Sequence, residues 1–233
     1  MKTSIPPFPR LTSVSAAILI SLNCAMADIL IEDDFIKSAS GASAAENIDG
    51  RQPTEGPAWE GTARIDDGVG LLADAAQSIS AAFAGVDVPQ EFKKLSVKIS
   101  YRKGSDQQLG FGFANSDKGL RDGKNKNNMG LMWVNTMGKR ANVNAGKYSS
   151  GEQIEKLVIS SSKSLDLTEL TFEVENPGTG AFLVRLFSSE TELAAQELIP
   201  TERPTFRYFF IQFRGEEGKF SDAIVENVSV AVE

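Results

Sequence analysis

Leu170, Phe172 and Val174 alternate with Thr171, Glu173 and Glu175, and after Asn176-Pro177-Gly178-Thr179-Gly180 the alternation resumes at Phe182, Val184 and Leu186. Period-two patterning on both sides of a Pro/Gly break predicts a β-hairpin with one face on a core. Leu95, Val97, Ile99 and Tyr101, set against Ser96, Lys98, Ser100 and Arg102, predict a strand of the same kind. Weaker versions of the pattern predict strands over 28–35, 57–65, 69–73, 109–114, 130–134, 140–144, 156–160, 192–199 and 224–232, the last beside the first. Ser78 to Ala84 reads as a strand, with a short helix from Leu72 to Phe83 as the alternative. Within 109–114, Gly110 and Gly112 leave one face bare, so that another backbone or a ligand can come close. Thr205 to Arg214 places Phe206, Tyr208 and Phe210 on one side and Phe209, Ile211 and Phe213 on the other. A strand apolar on both faces belongs in the middle of a fold, covered twice or lining a groove.

About a dozen short strands, no convincing amphipathic helix and no long repeat predict one antiparallel β-sandwich of jelly-roll type. The domain is expected to occupy residues 28–233. Residues 1–27 read as a signal peptide: Lys2 and Arg10, an uncharged apolar run from Leu11 to Leu22, then Ala25-Met26-Ala27 as the small-residue cleavage pattern. The expected location is therefore secreted, extracellular or periplasmic. Lipidation at Cys24 is the rival reading, and Ser21-Leu22-Asn23 fits it poorly. The leader carries two cations and no acid, so removing it takes the net charge from −7 to −9. An acidic domain is a poor match for nucleic acid or anionic membranes. Cleavage after Ala27 also removes the sole cysteine, leaving a domain held by its core without disulfides.

Asp33-Asp34-Phe35, then Ile48-Asp49-Gly50-Arg51-Gln52-Pro53 and Trp59, and finally Glu226-Asn227-Val228-Ser229-Val230 give the chain a familiar outline. It resembles the concanavalin A-like (laminin G-like) domains of bacterial secreted proteins. The motifs are short and frame the two ends of the domain. The resemblance implies two stacked, curved antiparallel sheets, glycan binding on a concave face or on rim loops, and a calcium ion in many members.

The chain has no histidine, which excludes Ser-His-Asp and Cys-His catalysis and His-ligated zinc. No strand carries the closely spaced carboxylates of a retaining glycosidase, and Glu173 with Glu175 reads as a solvated strand face. For calcium, Asp33 and Asp34 end the first strand while Asp222, Glu226 and Asn227 belong to the last, so pairing of these strands would bring their oxygens together. For glycans, aromatic rings stack on sugars and amides reach hydroxyls. The candidates are Trp133 and Tyr148, with Trp59 and Tyr208 behind them, and the amides of Asn128 and Asn135 beside Trp133. Lys118, Arg121, Lys124 and Lys126 form a basic loop partly offset by Asp117 and Asp122. The expected function is non-catalytic carbohydrate recognition or surface adhesion, with a polysaccharide or cell-surface glycan as partner. The alternative is a structural or protein-interaction component of the envelope, and a polysaccharide-degrading enzyme is the third reading.

Overall fold

The computed structural model describes residues 27–36, 46–66, 68–77, 79–102, 108–117, 120, 132–137, 140–146, 153–159, 168–199, 204–215 and 221–233. At 137, 140, 145–146 and 153–159 the description is of the backbone only. These residues form β1 (Asp28–Asp34), β2 (Glu46–Asn47), β3 (Glu60–Gly61), β4 (Arg64–Asp66), β5 (Gly70–Leu72), β6 (Ile79–Gly85), β7 (Lys94–Arg102) and β8 (Gln108–Ala114). They continue as β9 (Met132–Met137), β10 (Arg140–Gly146), β11 (Gln153–Ile159), β12 (Glu169–Glu175), β13 (Phe182–Ser188), β14 (Thr191–Leu198), β15 (Tyr208–Arg214) and β16 (Ile224–Val232).

Two antiparallel sheets stack as a sandwich. The first runs β14-β13-β12-β7-β16-β5-β4-β2, and β1 pairs with β16 beside β5. The second runs β11-β10-β9-β8-β15-β6-β3. The opening hairpin forms as expected, β12 against β13 with Phe172 opposite Leu186. The first and last strands do pair, Asp34 opposite Asn227. Residues 79–85 are strand rather than helix, because β6 lies between β15 and β3, where small alanines let the layers approach. The predicted strand 57–65 breaks in two at Thr62-Ala63, so that β3 joins the second sheet and β4 the first.

Alternation then sorts the side chains. Leu95, Val97, Ile99 and Tyr101 of the first sheet meet Leu109, Phe111, Phe113, Phe209, Ile211 and Phe213 of the second in one core. Phe113, Phe206, Phe92 and Phe182 continue it as a chain of edge and stacked ring contacts with centroids 5.6–6.1 Å apart. Such contacts add to the burial of the rings themselves. The outer face of the first sheet is charge-laced: Lys98 pairs with Glu169 at 3.3 Å, Arg102 with Glu226 at 2.9 Å, and Arg185 with Glu175 at 3.4 Å. Glu173 and Glu175 are thus members of a solvated ion-pair face, as their spacing predicts.

One polar contact crosses the core. The Tyr101 phenol on β7 hydrogen-bonds Thr136 on β9, whose hydroxyl also donates to the Leu109 carbonyl. Burial raises the phenol to about 12 from an ordinary 10.0, outweighing the hydrogen bond that lowers it. A raised folded-state value means that stability is complete below pH ~10 and is lost as pH climbs towards ~12, by on the order of 2–3 kcal/mol. Urea unfolding at pH 9 and pH 11.5 is expected to show this loss, and Tyr101→Phe, which keeps the ring but cannot ionise, to reduce it.

Candidate glycan-binding face and the strand-end acids

The face of the second sheet turned away from the core is not a solvated polar surface. Residues directly opposite one another in an antiparallel sheet share a face, and the register therefore lays out rows across the strands. One row reads Phe83, Phe210, Gly112, Trp133 and Asn144 from β6 to β10. The next reads Ala81, Gln212, Gly110, Asn135 and Asn142. A third begins Ile79, Arg214, Gln108. An aromatic row thus runs beside an amide row, with glycine in the middle of each.

The glycines are there because the neighbouring strand comes close, as the bare face of 109–114 predicted. A Cβ on Gly112 would lie 2.5 Å from Trp133 Cα and 2.4 Å from the Met132 carbonyl oxygen, and its φ of +153° suits glycine. On Gly110 the obstacle is softer: a Cβ would meet Asn135 Oδ1 at 2.7 Å. The Asn135 amide therefore lies across β8. Phe83, Phe210, Ala114 and Leu120 form a small buried cluster on this face, with Trp133 and Tyr208 packed partly exposed at its border. Both faces of β15 are thus apolar, the pattern read from its sequence. The buried Asn144 amide donates to the Asn142 carbonyl at 3.3 Å, which stiffens β10 beside Trp133.

Of the glycan candidates, Trp133 and Asn135 are brought together, with Tyr208 on the same face, while Asn128, Tyr148 and the basic-loop residues Lys118, Arg121, Lys124 and Lys126 lie outside the described residues. Trp59 is no stacking platform: it is fully buried between the sheets, against Phe35 and Phe209. Gln212, Asn142 and Arg214 were missed. Their signal was present, since each occupies a polar or outward position of an alternating strand, but only the register sets them beside Trp133.

Two of the five proposed calcium ligands, Asp33 and Glu226, are engaged in ion pairs with arginines. Asp33 is 1% exposed and points inward, where it accepts hydrogen bonds from Trp59 Nε1 at 2.8 Å and Arg51 Nη2 at 2.8 Å. Glu226 is paired with Arg102, and no group of three or more acidic, histidine or cysteine side chains suited to a metal occurs among the described residues. Asp33, Asp34 and Asn227 line one depression of about 450 Å³ with Glu32, Thr54, Lys98, Val228 and Ser229. Adjacent residues of a strand point to opposite faces, so the Asp33 carboxylate turns to the core while that of Asp34 turns outward.

No family model matches the chain, and no characterised protein matches its sequence. Solved structures match its backbone. The metal-free exoplasmic/lumenal domain of VIP36 aligns over 87% of this chain and 90% of its own, with a TM-score of 0.51 at 11% identity. Its Ca2+/Man2-bound form aligns over 87% and 86%, with a TM-score of 0.50 and the same identity. The Emp47p carbohydrate recognition domain covers 83% of this chain and 99% of its own at a TM-score of 0.49 and 10% identity. The fold is a concanavalin A-like jelly roll. At this identity the likeness is one of backbone alone.

The two aspartates separate in a stability measurement. Asp33→Ala leaves the Arg51 guanidinium and the Trp59 N–H without their acceptor, and is expected to cost about 3 kcal/mol or more in urea unfolding. Asp34→Ala removes a half-buried strand-end carboxylate that accepts from the Ile36 N–H at 3.2 Å, and is expected to cost about 1 kcal/mol or less.

Proposed function

We propose that this protein is a non-catalytic carbohydrate-recognition domain that binds its glycan on the outer face of the seven-stranded sheet. The observation that carries the reading is the pair of rows over Gly110 and Gly112. Trp133 offers a ring face for a pyranose, and Gln212, Asn135 and Asn142 offer amides to its hydroxyls in the adjacent row. Sugar sites combine such features because a sugar has apolar ring faces and a polar rim. Strands lie about 4.8 Å apart, so the row from Gln212 to Asn142 spans roughly 14 Å, room for more than one ring.

Further support comes from the shared fold with VIP36, a domain solved with mannose-containing ligand and calcium. The leader-like pattern of residues 1–27 supports a role outside the cytoplasm, where glycans are met. Glu60 is the one carboxylate among the described, registered positions of the face, and glycoside hydrolysis needs two. The outer face of the first sheet is bound up in ion pairs instead.

Binding to an immobilised polysaccharide panel tests the reading. Trp133→Ala is expected to weaken binding about tenfold or more, equivalent to ~1.4 kcal/mol. Gly110→Ala is the more discriminating variant, because its Cβ meets only the movable tip of Asn135. It is expected to displace the amide and weaken binding while the melting midpoint stays within a few degrees. A panel that binds nowhere, or binding indifferent to both substitutions, would favour the structural-component reading.

A further inference from the structure

Arg214 ends β15 on the same outer face, two residues from Gln212 and opposite Gln108. It is partly buried. Arg51, Arg102 and Arg185 each face a carboxylate within 3.4 Å, but among the described residues none pairs with Arg214. The charged positions registered on this face are Glu60, Arg140, which shares the Arg214 row by way of Gln108 and Met137, and Lys156, opposite Asn144. Glu60 lies opposite Phe83, two strands across and four residues along from the Arg214 row, roughly 16 Å away by strand geometry. Such a separation exceeds the screening length of about 8 Å at physiological salt. Ile79, on the other side of Arg214, brings no charge.

We propose that the glycan bound on this face is anionic, with a carboxylate or sulfate group held by Arg214. This rests on the glycan reading and narrows it. A guanidinium presents a planar fork that matches a carboxylate or sulfate edge with two parallel hydrogen bonds. From Arg214 the amide row leads through Gln212 and Asn135 to Trp133, a diagonal of roughly 16 Å across β15, β8 and β9. A chain lying along it has its charged group at one end, its hydroxyls over the amides and a ring face on the indole. Because the protein as a whole is acidic, general attraction does not explain uptake of a polyanion. Selectivity must come from local cations, with Arg214 nearest the amide row, and the salt dependence is that of a few ion pairs at most rather than of a basic surface.

The test uses the purified chain against uronate-containing chains (polygalacturonate, alginate, hyaluronate), a sulfated chain (chondroitin sulfate) and neutral chains (mannan, xylan, dextran). The expected result is binding to at least one acidic polymer, weakened tenfold or more by Arg214→Gln and by chemical reduction of the polymer's carboxyl groups. Arg214→Lys is expected to restore part of it, and the melting midpoint of both variants to stay near that of the parent chain. Binding confined to neutral polymers and lost in Trp133→Ala would overturn the anionic assignment and leave the glycan reading intact. Acidic binding that ignores Arg214→Gln would overturn it as well. No binding to any polymer would remove both.

Discussion

Trp59 is the member on which the arrangement of the two layers turns. Its indole sits fully buried, 5.7 Å from the Phe35 ring at the end of β1 and 6.2 Å from Phe209 in the middle of β15, so it touches both sheets. An indole can be buried at that depth only if its N–H finds an acceptor. Asp33 supplies it, and Arg51 neutralises Asp33 through two nitrogens while resting over the Phe35 ring at 5.7 Å. The backbone closes the arrangement, with Gly50 N–H donating to the Trp59 carbonyl and Trp59 N–H to that of Arg51. The acid, the loop and the tryptophan that make the sequence look familiar are thus one buried network. Each member satisfies a group that would otherwise be expensive to bury.

Once the layers are held in this way, the two outer faces diverge. On the first sheet the outward face is studded with cross-strand ion pairs, Lys98 with Glu169, Arg102 with Glu226 and Arg185 with Glu175, which suits a surface facing water. On the second sheet the outward rows carry rings, amides and a guanidinium, and the glycines of β8 let β9 lie close enough for Trp133 and Asn135 to lean over it. The two sides of the sandwich thus differ in chemistry, one studded with ion pairs and the other carrying rings and amides over the glycines of β8.

The acidic strand ends illustrate how a plausible convergence fails. Asp33, Asp34, Glu226 and Asn227 do come near one another, because β1 and β16 pair. Yet the pleat sends Asp33 to the core and Asp34 to the surface, and Arg102 occupies Glu226. Proximity along a strand is not proximity of side chains. The parity of Asp33 with Ile31 and Phe35, both fully buried, was the available sign that it belongs to the interior.

By itself the sequence determined the class of fold, most of the strands, the inward face of the clearly alternating ones such as β7, β12 and β13, and the double-sided character of β15, because alternation is a local property set by the geometry of an extended backbone. It also exposed Trp133, Asn135 and the bare glycines as individual features. What only the tertiary structure decided was adjacency. Which sheet each strand joins, that Gln212, Gly110, Asn135 and Asn142 share a row, and that Asp33 spends its charge on Arg51 all follow from register between segments far apart in the chain. Register is fixed by the packing of the whole core and by bulges such as those near Leu30 and Glu226, and a shift of one residue would turn every row to the opposite face.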